Sequence, residues 1–441
     1  MMRLFIAMMA IGSMALGGAI RARAQQPPAL PATTSDRTSS TRTGAAQGET
    51  ISLDELVREA LDKNPEIQSY SRRVTAMRAR VPQAKTLPDP EVSVGWMGRI
   101  KPFSVMDGDP SSYRGITAME MFPYPGKLKL RGKIADREAE ATQWEYEAAR
   151  RRVVSKVKTA YYDYSYAHEA IDITQKNKDL MEKLYKIAEA RYQVGKGIQP
   201  DVLKAQVELS RLLQQLTILN QREKTAKVRL NTLLNRDPET PLPPPASFQQ
   251  ADLTETLEQL YHLAQQNDTG LQQDQRLIER DHDQIALAKR NYLPDFTVGY
   301  MYQQRPDMPD MHGVTVGINI PIFYKSKQRE EVRGATESLI GEQKNQENRK
   351  TNLFFEVKEQ YLAAKSSEEL ARLYSTAVVP QSSLALESSM SAYEVGKVDF
   401  LTILDNFVTV LDYQVGYYRE LTNYQIALAR LEPLVGVELT K

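Results

Sequence analysis

Apolar positions change their period several times along this chain, and they do so in the same order twice. From Ile51 the spacing is helical: Ser52 with Glu55 three residues on predicts a capping box, and Leu56, Ala60 and Leu61 continue the stripe to Asn64-Pro65. A second helix is expected to about Lys85. At Leu87-Pro88-Asp89-Pro90 the period falls to two: Val92, Val94 and Trp96 alternate with Ser93 and Gly95, as in a half-buried strand. A loop rich in Pro, Gly and Asp leads to a second alternating stretch, Gly115 to Phe122, closed by Pro123-Tyr124-Pro125-Gly126. From Lys127 the helical period returns. Val157, Tyr161, Tyr164, His168 and Ile171 follow at coiled-coil spacing, and no proline interrupts the run before Tyr192. At about 1.5 Å per residue such a helix is close to 100 Å long, more than a globular core can use.

The run stops at Tyr192-Gln193-Val194-Gly195-Lys196, and the same stop recurs as Tyr393-Glu394-Val395-Gly396-Lys397. A glycine between two helical patterns predicts a helix end with φ > 0, so each copy is read as the tip of a helical hairpin. Between the tips the series restarts. Leu257, Leu260 and Ala264 answer the first helix, and Leu293-Pro294-Asp295 answers Leu87-Pro88-Asp89. Phe296, Val298, Tyr300 and Tyr302 alternate again, and Gly313 to Pro321 repeats Gly115 to Pro123. A second long helix is then expected to reach Tyr393. Self-similarity at this period predicts two structural repeats, 51–240 and 253–441, joined by a stiff proline-rich linker at 241–252.

Composition narrows the function. The formal charge of +1 gives no reason to expect nucleic acid as a partner. With no cysteine there is no disulfide, thiolate metal site or lipid-attachment cysteine, and four histidines leave little material for catalysis. No phosphate loop, nucleophile elbow or paired-carboxylate site is visible, so neither enzyme chemistry nor a cofactor is expected. Glu279, Asp281, His282 and Asp283 lie together, but consecutive helical positions diverge, and a solvated face is expected rather than a metal site. Met308, Met311 and His312 could suit Cu(I) by residue type, but they fall in a strand-to-strand loop and carry no metal assignment. The N-terminus, with Arg3, an uncharged run from Leu4 to Ile20 and Ala22-Arg23-Ala24, predicts a signal peptide over 1–24. Residues 25–50, poor in large apolar side chains, are expected to form a disordered leader.

No other stretch is long and apolar enough for a membrane helix, so any entry into a bilayer must use β-structure. Each repeat offers two strands of about ten residues, apolar on one face and small or polar on the other, which fits a barrel wall between lipid and water. Four strands are too few to close, and open edges in lipid would leave amides unpaired at several kcal/mol each. Copies must pool their strands; dimer, trimer and tetramer all close on paper. The helices would continue the pore as a tube. The competing reading is a structural periplasmic coiled-coil or adaptor protein, which would fractionate as a soluble periplasmic product.

In their order and duplication these motifs resemble the TolC-like outer-membrane efflux family. The resemblance rests on Ala60…Asn64-Pro65, the Leu-Pro-Asp before each first strand, the Pro123…Lys127 and Pro321…Lys325 exits, both Tyr-x-x-Gly tips and Leu233-Leu234-Asn235. It implies a mainly α fold of duplicated hairpins forming an α-barrel. Four strands per chain would then contribute to a homotrimeric, twelve-stranded β-barrel in outer-membrane lipid. It also implies a periplasmic adaptor and an inner-membrane pump as partners. Phe122-Pro123-Tyr124-Pro125-Gly126-Lys127 and Leu87-Pro88-Asp89-Pro90 look more like the branch serving heavy-metal and small-molecule pumps of the resistance-nodulation-division type; a duct for a type I protein secretion system is the alternative. The tips are implied to close the periplasmic entrance and dock the adaptor through Gly195, Lys196, Gly396 and Lys397. Tyr393 matches a tip tyrosine, Asp201 the acidic residue it bonds on a neighbouring hairpin, and Asp405 an aperture aspartate. Thr402 and Val398 stand where the family places a second aspartate and an arginine, with Lys397 adjacent. Three Asp405 carboxylates about 7 Å apart at an effective dielectric near 20 would repel by roughly 2 kcal/mol per pair, favouring cations at a closed aperture.

Overall fold

The computed structural model describes residues 50–100, 104–246 and 253–439. The expected signal peptide, the leader to residue 49 and positions 247–252 of the linker lie outside the described residues. The elements run α1 (Leu53–Lys63), α2 (Pro65–Lys85), β1 (Glu91–Met97), β2 (Tyr113–Phe122), α3 (Lys127–Gln193) and α4 (Gln199–Leu233). The series then repeats as α5 (Leu257–Asn267), α6 (Thr269–Arg290), β3 (Asp295–Gln304), β4 (Met311–Asn319), α7 (Gln328–Leu373), α8 (Val379–Glu394) and α9 (Phe400–Val435).

Local chemistry sets the boundaries. Ser52 and Glu55 form the expected capping box on α1, and Thr256 with Gln259 forms its counterpart on α5. Asn64 caps α2 through its side-chain oxygen, and its amide donates to the Leu233 carbonyl at 2.8 Å. That bond brings together two of the short motifs that recur with the fold. Asn235 follows at φ +55° and ends α4. The Tyr161 and Tyr164 hydroxyls donate to Ala246 O (3.1 Å) and Pro243 O (2.9 Å), pinning the linker to α3. α3 is unbroken over 67 residues, roughly 100 Å at the helical rise.

The second long helix is not continuous. α7 passes through a π-helical turn, Tyr374–Val378, before α8 begins. Pro380 has no N–H to give and its ring would strike the carbonyl one turn back, so the ladder widens to admit it. β1 has seven residues rather than ten, because Asp89-Pro90 precedes it and the chain turns at Gly98 into a single bridge between Arg99 and Ser104.

The strands form one antiparallel sheet in the order β1-β2-β3-β4, so β2 of the first repeat pairs with β3 of the second. In the single chain β1 and β4 are the outer strands. One face carries Val92, Val94, Ile116, Val298, Val314 and Val316, and Val94, Val314 and Val316 are 70–82% exposed. Helix cores lie elsewhere. Leu56, Ala60, Val157, Tyr161 and Leu230 pack together in the first repeat, and Leu260, Ala264, Val357, Tyr424 and Leu428 do so in the second. A third core near the tips joins both repeats through Met181, Leu184, Leu212, Phe400, Ile403 and Phe407. Among the described residues no helix is long and apolar enough to cross a membrane.

Candidate functional site

Two regions stand out: the hairpin tips and the sheet. At the tips Gly195 (φ +71°) and Gly396 (φ +73°) take the left-handed conformation. The amides of Lys196 and Lys397 close back on the carbonyls of Arg191 (2.8 Å) and Ala392 (2.9 Å), the Schellman pattern. Gly195, Lys196, Gly396 and Lys397 are all exposed. A side chain at either glycine would meet nothing within 4 Å, so the glycines serve the turn and not a close contact.

The two tips share a backbone but not an environment. Tyr192 is 46% exposed, whereas its repeat partner Tyr393 is 6% exposed and packs near Phe400, ring centroids 6.0 Å apart. Over the Tyr393 ring lies the Arg191 guanidinium, 4.1 Å from the centroid, and its Nη2 donates to the Glu394 carbonyl at 3.1 Å. Arg191 therefore ties the end of α3 to the end of α8. Sequence reasoning missed it; the only signal was a tyrosine preceded by arginine in one copy and by alanine in the other. No hydrogen bond joins Tyr393 to Asp201 within one chain, among the described residues.

Asp201 sits half-buried in the first turn of α4. Burial pushes its carboxyl above the usual range; Lys204 opposes the rise, and the Asp399 carboxylate adds to it. Asp399, also missed, is the N-cap of α9. It accepts from the Thr402 hydroxyl (2.6 Å) and the Thr402 amide (2.9 Å), which hold its carboxyl below the ordinary value. Thr402 thus completes a cap in this chain, where the family resemblance implies an acid.

Asp405 is exposed on α9, while Ile403, Phe407 and Val410 of the same helix face the tip core. At alternating three- and four-residue spacing the outward face of α9 presents Thr402, Asp405, Thr409 and Asp412, and farther along Arg419, Asn423 and Arg430. The acids lie toward the tip and the arginines toward the other end. The spacing of Asp412 from Asp405 was the unused signal.

The acidic cluster at 279–283 is no solvated face: Glu279 meets Arg137 and Arg276, Asp283 approaches Lys133, and the buried Asp281 meets Arg280. These pairs lie along the seam of α3 and α6. Among the described residues no cluster of three or more His, Cys, Asp or Glu side chains is placed to hold a metal. Met311 and His312, expected from the sequence in the strand-to-strand loop, instead open β4, whose pairing with β3 extends to Met311, and they lie on opposite faces. His312 shares a face with Tyr300, whose hydroxyl is 2.7 Å from Nδ1.

At the helical end of the sheet, Lys127 of the first repeat bonds Asp295 (2.7 Å) and Leu293 O (3.0 Å) of the second, and the Tyr124 amide donates to the same carboxylate. The Pro-x-x-x-Lys exit of one repeat is thereby fastened to the Leu-Pro-Asp entry of the next. The corresponding pair at the free edges, Lys325 after β4 and Asp89 before β1, is exposed.

A four-stranded sheet with one bare apolar face, continued by helical hairpins of about 100 Å, defines a membrane β-barrel component with an α-helical extension. The outer membrane efflux protein family model matches residues 56–236 and 260–437, and the chain belongs to that family. Outer membrane protein TolC of Vibrio cholerae serotype O1 is 19% identical over 398 residues, covering 87% of this chain and 90% of TolC. Among solved structures, CusC superposes with a TM-score of 0.75 at 17% identity, covering 90% of this chain and 95% of CusC. The CmeC outer membrane channel of Campylobacter jejuni gives 0.75 at 15% identity, covering 94% and 95%. The protein is thus a TolC-like component of the bacterial outer membrane with a periplasmic extension, a passive channel component and not an enzyme.

Proposed function

We propose that three copies of this chain close a twelve-stranded barrel and an α-helical tunnel, forming the exit duct of a tripartite efflux system. The observation that carries this is the sheet: β1 and β4 are outer strands beside an apolar face that water cannot keep bare. Pairing β4 of one copy with β1 of the next would set Lys325 beside Asp89, repeating between copies the Lys127–Asp295 joint seen within one. Exposed apolar side chains on α4 (Leu203, Val207) and on α7 and α8 (Phe355, Leu362, Leu384) supply the matching helical contact between copies.

A periplasmic adaptor would dock on the exposed tips and in the cleft of about 810 Å³ among α3, α8 and α9, beside Lys176, Glu387 and Met390. The inner-membrane partner would be a pump of the resistance-nodulation-division type, with cargo chosen by the pump. In the closed state Tyr393 would bond Asp201 of a neighbouring copy, while Asp405 rings the aperture and Asp412 lines the next level. The chain has no cysteine, so Asp89→Cys with Lys325→Cys can be joined selectively by a short bis-maleimide. Denaturing gels should then show species of one, two and three chains. A ladder ending at two or four chains would replace the trimer, and failure to cross-link in purified outer membranes would refute the ring.

A further inference from the structure

Seen along the strands, the face opposite the apolar one is lined in an unexpected way. In the register of the sheet, Met121 lies opposite Thr297 and Met119 opposite Gly299. Met301 lies opposite Gly313, Met311 opposite Gln303, and Met97 opposite Tyr113. Taken by position along β3, Met121, Met119, Met301 and Met311 occupy four successive levels of one face, one methionine per level, and Met97 lies on the same face of β1 past the end of β3. Levels are two residues apart, roughly 6.6 Å, so the row spans about 20 Å along the strands. Ten methionines follow the expected signal peptide, and seven of them fall between residues 91 and 122 or between 295 and 319.

Apolar filling does not account for this placement. The opposite face, mostly Val, Ile, Phe, Tyr and Trp but also holding Arg114, Glu120 and His312, carries no methionine on any strand. Methionine is used only on the face that also holds Ser93, Thr117, Thr315 and Asn319. It is left exposed there: Met97 is 52% and Met121 49% exposed. Glycines make room for the thioethers. A side chain at Gly299 would meet Met119 Cγ at 3.0 Å, and one at Gly313 would meet Met301 Cε at 3.1 Å. Gln303 Nε2 lies 3.3 Å from Met301 Sδ and positions that sulfur.

Thioether sulfur is a soft, neutral ligand that prefers Cu(I) and similar monovalent d¹⁰ cations to hard ions. Neutral donors at regular intervals bind weakly enough to release, and conduction requires that balance. We propose that this face is a thioether ladder along the pore wall, handing soft monovalent cations of the Cu(I) or Ag(I) class from level to level. The proposal rests on the barrel reading above, with the methionine face turned inward.

The probe is Ag⁺ in nitrate salts on channels in a planar bilayer carrying K⁺. Ag⁺ should reduce the K⁺ current reversibly. The Met119→Leu, Met301→Leu, Met311→Leu variant keeps side-chain size and should conduct K⁺ normally with half-block moved at least about tenfold higher. No effect of Ag⁺ on the wild type, or equal block in the variant, would overturn the ladder. Wild-type protein that passes no K⁺ current would instead refute the barrel beneath it. Should the triple variant not assemble, Met301→Leu alone carries the test, with weaker block expected and unchanged block overturning the proposal. Peroxide footprinting gives an independent reading: Ag⁺ should protect Met119 and Met301 from oxidation and leave Met77 unprotected. Equal oxidation with and without Ag⁺ would count against the proposal.

Discussion

Arg191→Ala tests whether the tips behave as a latch. The guanidinium makes two contacts with the neighbouring hairpin, a cation–π contact at 4.1 Å and a hydrogen bond to Glu394 O at 3.1 Å. At a partly exposed site the first contributes about 0.5–1 kcal/mol. The second, from a charged donor, lies at the low end of roughly 1.5–3 kcal/mol and is reduced further by solvent. Together they hold α8 to α3 by about 1–2 kcal/mol per chain. If three hairpins swing outward in concert, the closed state loses about 3–6 kcal/mol, and the open population rises roughly 10²- to 10⁴-fold. The assay is single-channel recording in a planar bilayer at fixed salt, comparing the fraction of time in the large-conductance state. Arg191→Lys keeps the charge but loses the planar fork, and should fall between the two. Open times equal to wild type, or a more tightly shut channel, would refute the reasoning.

Other outcomes follow from the same geometry. Asp405→Ala should lower preference for cations over anions in single-channel recordings, and Asp405→Ala with Asp412→Ala should lower it further; unchanged reversal potentials would remove both residues from the pore. Val316→Arg, on the bare apolar face, should cost about 2–4 kcal/mol and abolish heat-modifiable assembly, whereas Thr315→Arg on the opposite face should assemble. The Arg236 guanidinium bonds Glu59, with Nε to Oε1 at 2.9 Å, and holds the Glu59 carboxyl below the ordinary value. That contribution is complete above the unfolded pKa near 4.3 and is lost as pH falls through the depressed folded value. Glu59→Gln should therefore lower Tm at pH 7 and leave a smaller deficit in strongly acidic buffer. Gly396→Ala should loosen the tip by about 1–2 kcal/mol through φ alone, read by hydrogen exchange at Lys397. Gly334→Ala, in an open helical position, should stabilise by up to about 1 kcal/mol.

What could be read from the residues was whatever depends on near neighbours. The hairpin tips, the capping box at Ser52 and the alternation of Val314, Val316 and Ile318 all follow from local periods and φ preferences. The partner of each strand did not. The β2–β3 ladder and the Lys127–Asp295 bond beside it join residues 168 or more positions apart, and no local rule places them together. The methionine row was hidden for the same reason, because it exists only once four strands are in register. Pro380 was in plain view, but repeat symmetry with the uninterrupted α3 argued for a continuous helix. Asp412 was legible by its spacing from Asp405, but the family resemblance marks Asp405 alone.

The two repeats share one backbone plan and differ in where it is interrupted and capped. The first has an unbroken α3, a tip with an exposed tyrosine and an α4 whose N-cap, Ile198, makes no side-chain capping bond. The second has a π-turn at Tyr374–Val378, a buried Tyr393 and an α9 capped by Asp399. A π-turn leaves the i→i−4 ladder locally incomplete, so bending there breaks fewer hydrogen bonds than bending elsewhere in the helix. Tyr374 packs on Gly416, where a Cβ would lie in ordinary contact 3.4 Å from its ring; the bend thus sits against the single glycine of α9. If the tips open, a soft point in α7–α8, a firmly started α9 and an arginine reaching from the other repeat would give movement to the second hairpin and bracing to the first. On that assignment Gly416→Val should change gating without touching the pore, since its γ-methyls reach past a Cβ already in contact with the Tyr374 ring and press on the hinge, and on no residue of the Thr402, Asp405, Thr409, Asp412 face.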